Sequence, residues 1–366
     1  MILNNNVLFE SEGGLYVPKE TGKFYIELLS EGNEVTIFQI SMRKGPSDTF
    51  ANFDITNKGL KIVRVTRRGI RIWAYIKAFF VGIVAIIKSD FVYIFYPGPI
   101  CAVFAMLCVL LGKKFGIYVR GEQGIANPLS KLLYGQAELV LTVSPKFTQI
   151  IREFGGNSFT IRPMFDVVES DAILDRRYLK RPVYNLLYVG RTVRDKGLFE
   201  LLSAAKQLKD AGHDNFHVHI VGDGIDLAEM KVKVKENLID ELITFHGMVS
   251  DKDTLRKFYL NSDLFVLPTY HEGFPRVLYE AMIFGVPIIT TFVGTISYIM
   301  KDKINCYRIE PESVSSLKNE ILSFLTSYEA KAVVAKFATT DILDYLSDKK
   351  DKHAVQLSKF ISKFNN

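Results

Sequence analysis

Glu272 and Glu280 stand eight positions apart in the run His271-Glu272-Gly273-Phe274-Pro275-Arg276-Val277-Leu278-Tyr279-Glu280-Ala281-Met282. That run follows an apolar stretch, DLFVLPTY, and leads into an apolar, glycine-terminated helix pattern. In an open α/β sheet, ligands gather at the carboxyl ends of strands, so this loop is placed to meet one. Amides at Gly273, Phe274 and the first helical turn would point at it, and such N–H groups favour phosphate or anionic oxygen. The two carboxylates only accept hydrogen bonds, which suits the vicinal hydroxyls of a sugar and a ribose. Taken alone, the pair reads equally well as a capping glutamate and an exposed helix glutamate.

A second segment, Leu187-Tyr188-Val189-Gly190-Arg191-Thr192-Val193-Arg194-Asp195-Lys196-Gly197, has a strand ending at Gly190, a basic loop and a helix start. Arg191 can clamp phosphate oxygens bidentately, and Lys196 can act there as a point charge. Fixed cations stabilise a leaving diphosphate most as its charge grows. Other candidates carry less. Asp251-Lys252-Asp253 opens a helix and reads as capping. His213, His217 and His219 lack partners at metal spacing, so no metal site is expected. His271 adjoins Glu272, and Arg276 stands at a helix start.

The positioning elements alternate. Strands are expected near Val7–Glu10, Val35–Ile40, Lys61–Val65, Phe91–Phe95, Gly116–Val119 and Leu139–Val143, then Asn185–Val189, His217–Val221, Ile243–His246, Leu264–Leu267, Pro287–Thr290 and Cys306–Ile309. Helices fall between, among them Gly197–Asp210, Arg276–Phe284 and Ser313–Thr326. Such alternation implies an α/β fold with doubly wound parallel sheets. It pauses at the polar stretch Phe165–Arg181, which divides the chain into domains 1–170 and 171–350 with a cleft between them. A C-terminal helix, 353–366, is expected to pack back on the first domain. Ile100–Leu111 and Ile72–Ile87 are apolar, but shorter than the ~20 residues that span a bilayer; both read as buried helices.

Composition narrows the class. With 48% apolar and 23% charged residues, the chain is globular rather than disordered. Three cysteines are too few for a disulfide framework, and no leader sequence is read at the N-terminus, so the cytoplasm is the expected compartment. Residues 1–170 carry 19 Lys and Arg against 14 Asp and Glu. Lys58, Lys61, Arg64, Arg67, Arg68, Arg71 and Lys77 form a stretch without an acid. It suits nucleic acid, anionic headgroups or a phosphorylated acceptor as readily as a solvated face.

Together, GRTVRDKG and HEGFPRVLYEAM resemble the retaining GT-B glycosyltransferases of family GT4, whose hallmark is a Glu-x7-Glu pair. The resemblance covers Tyr184 to about Leu325. It implies a GT-B fold of two Rossmann-like domains facing a central cleft, and sugar transfer from a nucleoside-diphosphate sugar, UDP- or GDP-linked, without metal or cofactor. By it, Glu272 contacts the donor sugar, Glu280 holds the ribose, and Arg191 and Lys196 meet the diphosphate. Gly190, Gly222 of the turn Val221-Gly222-Asp223-Gly224, Val249 of the nucleobase stretch Phe245–Val249, His271, Gly273, Phe274, Pro275 and Leu278 line the same site. Ser11-Glu12-Gly13-Gly14 resembles the glycine loop that approaches the diphosphate from the acceptor side. Where many relatives carry His or Asp after the Gly116–Val119 strand, this chain has Arg120-Gly121-Glu122, so Arg120 and Glu122 are candidate acceptor contacts only. The implied partners are a nucleotide-sugar and a saccharide or lipid-linked saccharide at the inner face of the cell membrane, with no nucleic acid. A nucleotide-sugar epimerase of the same fold and a catalytically silent sugar-nucleotide-binding subunit are the alternatives.

Overall fold

A computed structural model of the protein describes residues 1–4, 7–45, 51–67, 71–121, 124–161, 167–273, 275–347 and 352–365. The chain divides into two compact units, Met1–Phe165 with Lys350–Asn366, and Asp166–Lys349.

The first unit contains β1 (Ile2–Leu3), β2 (Leu8–Ser11), β3 (Gly14–Val17), α1 (Lys19–Ser30), β4 (Thr36–Arg43), β5 (Phe53–Asp54), β6 (Lys61–Thr66), α2 (Arg71–Ile87), β7 (Val92–Tyr96), α3 (Pro99–Leu110), β8 (Phe115–Val119), α4 (Pro128–Gln136), β9 (Leu139–Thr142), α5 (Pro145–Glu153) and β10 (Ser158–Thr160). Its sheet runs β10-β9-β8-β7-β1-β4-β2-β3-β5, with β6 also on β4. The central pairs are parallel, and β7 and β8 are buried throughout. Continuous apolar strands such as VYIFY are what a sheet covered on both faces requires.

Two expectations change here. Ser11-Glu12-Gly13-Gly14 is a tight hairpin, with Glu12 at φ 47° and Gly13 at φ 79° joining antiparallel β2 and β3. Two successive positive φ angles are what a two-residue hairpin demands. The glycines thus sit in the turn of a hairpin, a local shape the sequence reading had not given them. The second change is α2, read from sequence as a buried helix. Ala74, Ala78, Gly82 and Ala85 face inward, while Trp73 is 67% and Phe80 63% exposed. Small inward residues let α3 approach closely: a Cβ on Gly82 would lie 1.9 Å from the Phe104 ring. A helix apolar on nearly every side carries no pattern telling which face turns in. Leu110 at the end of α3 is exposed as well.

The second unit contains β11 (Tyr184–Val189), α6 (Leu198–Asp210), β12 (Phe216–Val221), α7 (Leu227–Glu236), β13 (Ile243–Gly247), α8 (Lys252–Asn261), β14 (Leu264–Leu267), α9 (Arg276–Ile283), β15 (Ile288–Thr290), α10 (Ile296–Ile299), β16 (Tyr307–Arg308), α11 (Val314–Ala332) and α12 (Val334–Ser347); α13 (His353–Asn365) belongs to the first unit. Its sheet is parallel, in the order β13-β12-β11-β14-β15-β16. Strand order reverses between β11 and β14, and at such a switch the following loops part to leave a crevice. The polar stretch before β11 is anchored: Arg176 donates to the carbonyls of Tyr259, Leu260, Ser262 and Phe284. The fold is α/β with two Rossmann-like doubly wound units. Among the described residues, no helix is long and apolar enough to cross a membrane.

Candidate functional site

At the β11/β14 switch, a single 3-10 turn, Arg194–Lys196, carries Lys196 into the second unit. The side chain is buried, and its Nζ donates to the His271 carbonyl at 2.8 Å, Glu272 Oε2 at 2.9 Å and Thr269 Oγ1 at 3.3 Å. An ammonium has three N–H groups, and all three are directed at protein oxygens. Glu272 is thereby fixed by a half-enclosed ion pair linking the loop after β14 to the loop after β11.

Two glycines permit this approach. Gly197 has φ 70°, and a Cβ there would lie 2.0 Å from the Pro268 carbonyl oxygen. At Gly294 (φ 58°) a Cβ would lie 1.8 Å from the Glu272 carbonyl oxygen, and Thr295 Oγ1 next to it donates to the Gly273 carbonyl at 2.7 Å. The backbone around Glu272 is held from both sides.

Arg191 is exposed, and the Tyr188 hydroxyl donates to its carbonyl at 2.8 Å. Burial, then the charges of Glu272 and Asp195, raise the Tyr188 phenol far above its ordinary range, against the pull of Arg191. One buried hydroxyl thus feels both Arg191 and Glu272, so the structure brings Arg191, Lys196 and Glu272 to one neighbourhood. Glu280, in the second turn of α9, accepts from the buried Tyr259 hydroxyl at 2.7 Å. Burial and then Glu280 hold the Tyr259 proton in place.

The remaining sequence candidates fall as follows. The His271 side chain is exposed, while its carbonyl serves Lys196. Gly190 and Gly222 end the adjacent strands β11 and β12, and the Gly222 amide donates to the Gly247 carbonyl at 2.8 Å. Val249 and Gly273 are half-buried, and Pro275 is the buried N-cap of α9. Leu278 is fully enclosed in the core, so it offers a ligand no side-chain surface. In the first unit, Gly13 and Gly14 form the hairpin, and Arg120 lies over the Phe95 ring at 5.5 Å. Phe274 and Glu122 lie outside the described residues, as does Arg68. Asp251 caps α8, accepting from the Thr254 amide at 2.8 Å. Among the described residues, no three His, Cys, Asp or Glu side chains gather as a metal site. His219 and His246 instead hydrogen-bond each other at 3.0 Å, and burial with the neighbouring imidazoles lowers His219 to about 4.

Thr269, Tyr188, Tyr259 and Thr295 went unread in the sequence. A lone hydroxyl has no spacing pattern; the available signal was position, since Thr269 stands just past a strand and Tyr188 one residue before a strand's end.

Residues 176–341 match the model of the family described as glycosyl transferases group 1. TuaC of Bacillus subtilis, named for teichuronic acid biosynthesis, is 31% identical over 232 residues, 61% of this chain and 55% of TuaC. The capsular polysaccharide biosynthesis glycosyltransferase CapM of Staphylococcus aureus is 34% identical over 137 residues, 33% of each chain. The chain thus spans about half the length of TuaC and less of CapM. In structure it is similar to HepE of Anabaena, solved in complex with UDP: the TM-score is 0.67 at 15% identity, covering 100% of this chain and 99% of HepE. At that identity the likeness is one of fold.

Proposed function

We propose that the chain, whose residues 176–341 match the glycosyl transferases group 1 model and whose fold is GT-B, transfers a sugar from a nucleoside-diphosphate sugar to a saccharide or lipid-linked saccharide in surface polysaccharide or glycolipid assembly. The observation that carries this reading is the Lys196–Glu272 pair beside the exposed Arg191 at the strand switch of the second unit. Such a place offers a sugar hydroxyl an acceptor and a diphosphate a cation. Arg191 is the cation open to phosphate. Lys196 is spent on holding Glu272, and reaches a phosphate by exchanging its 3.3 Å bond to Thr269.

The reaction we infer is retaining, as in GT4. The bond from the anomeric carbon to the phosphate oxygen breaks, and the acceptor oxygen forms its bond on the same face. The acceptor proton passes to the departing diphosphate oxygen. Positive charge at Arg191 and Lys196 stabilises the leaving group most at that moment. No metal is needed in this scheme. TuaC and CapM, named for surface polysaccharides, support an acceptor of that class. The three cysteines are free and buried, in keeping with cytoplasmic work on the inner side of the membrane.

Incubating the purified chain with UDP- and GDP-sugars and a panel of saccharide acceptors tests the proposal, with products read by mass spectrometry and their anomers by NMR. A glycoside of unchanged anomeric configuration is expected, with transfer lost on Glu272→Gln. Isomerised donor would instead assign an epimerase. Donor binding without transfer, indifferent to Glu272→Ala, would assign a silent binding subunit.

A further inference from the structure

We propose that the outward face of α2 docks on an anionic lipid bilayer and lies along its interface. This does not depend on the catalytic reading. Trp73, Ile76, Phe80, Val84 and Ile87 are all exposed, while Ala74, Ala78, Gly82, Ala85 and Ile86 form the buried side. With 3.6 residues per turn, those five side chains fall within a sector of roughly 80°. Lys77 and Lys88, both exposed, follow along one margin. Single exposed apolar residues need no explanation, but a continuous stripe does. Here most of the buried positions are small and, Ile86 apart, the largest apolar side chains are left in solvent, the reverse of an ordinary surface helix. The neighbouring α3 widens the apolar area with exposed Val103 and Leu110.

Charge selects the occupant. From Ile55 to Gly121 the sequence holds eleven Lys and Arg and one acid, Asp90. On β6, Lys61 pairs with Glu34 at 2.5 Å and Arg64 with Glu10 at 3.2 Å, so those cations are partly spent. The cations that border the apolar stripe are Lys77 on α2 and Lys88 just past its end. A second copy of this face would oppose lysine to lysine with no acid between. A bilayer of acidic lipids supplies hydrocarbon for the stripe and phosphate at its margin. Lysine stems can lie on the apolar surface with their ammonium groups among headgroups, and tryptophan favours that depth. A helix of 17 residues, turned sideways, suits lying in the interface.

Trp73 is the chain's single tryptophan, so emission excited at the red edge, where tyrosine does not absorb, reports this helix alone. The full chain is titrated with vesicles of phosphatidylglycerol and phosphatidylcholine in equal parts, or of phosphatidylcholine alone. Expected are a blue shift with the acidic vesicles, quenching by lipids brominated in their acyl chains, and weaker binding to phosphatidylcholine. Phe80→Asp should cut co-sedimentation by on the order of tenfold, and Lys77→Glu by several-fold, with thermal unfolding unmoved because both side chains are exposed. Trp73 emission unchanged by acidic vesicles, with the chain left in the supernatant, overturns the proposal. So does a lipid-free, concentration-dependent blue shift with doubled mass in light scattering, which would assign the face to a second copy.

Discussion

The Lys196 ammonium shows how a buried charge is tolerated. Three donors meet three acceptors, one of them a carboxylate, which offsets the cost of taking the charge out of water. Lys196→Met keeps most of the volume and removes all three bonds, leaving Glu272 and the His271 carbonyl unpaired. We expect unfolding free energy to fall by about 2–4 kcal/mol, read from urea titration. Transfer should fall on the order of 10²-fold, since Glu272 loses its fixed position. An unchanged urea midpoint would mean the ion pair is not formed in solution. Residue types and spacing made Arg191, Lys196, Glu272 and Glu280 legible in the sequence. Who holds whom was not, because Glu272 meets Lys196 across 76 residues while Glu280 meets Tyr259 on another helix.

Elements come together here through close backbone approach, and Gly197 is where that can be tested. A methyl group there meets both a left-handed φ and the Pro268 carbonyl oxygen at 2.0 Å. Gly197→Ala should cost about 3 kcal/mol or more, as backbone must move. Gly32→Ala is the matched control, with φ 85° and nothing within 4 Å, where only the dihedral penalty of about 1 kcal/mol applies. Equal effects in urea titration would show that contact with Pro268 is irrelevant. Legibility at this scale followed pattern strength. The apolar runs ending at Val189, Val221 and Leu267 were read to within a residue. The two-residue strands β1 and β5 were missed, being too short to show alternation, and β3 was missed because Gly13-Gly14 was read as a ligand loop. The kink at Ser327, φ −134°, explains why the helix starting at Ser313 was read as ending near Thr326. Helix α2 was found but read as wholly buried, since a run of apolar residues has no face to declare.

At the scale of the whole molecule, the second unit is one continuous stretch, whereas the first is closed by the far end of the chain. His353 opens α13 and is buried among the rings of Phe24, Tyr93, Phe95 and Tyr118, with Nε2 2.7 Å from the Tyr93 hydroxyl. Burial, helped by the Arg120 charge, lowers this imidazole to about 3 from an ordinary 6.5. Between those values the unfolded chain carries a proton there and the native chain does not. Stability is therefore full above pH 6.5 and drains as pH falls toward 3, by up to about 1.4 kcal/mol per pH unit. His353→Phe keeps a ring in the cage and removes the titration. It should cost a pH-independent amount for the stranded Tyr93 hydroxyl, about 1–2 kcal/mol. The loss of stability between pH 6.5 and 5 should then be shallower than in the parent chain. His219, lowered to about 4 in the second unit, adds a drain of the same sign that the substitution leaves in place. Hydrogen exchange resolved by peptide separates the two: protection of α1, β7 and β8 should gain acid resistance in His353→Phe, while β11 and β12 keep the parent's pH response. Parallel pH curves for α1, β7 and β8 in the two proteins would show that His353 is already charged in the fold, and that the aromatic cage is not closed around a neutral ring.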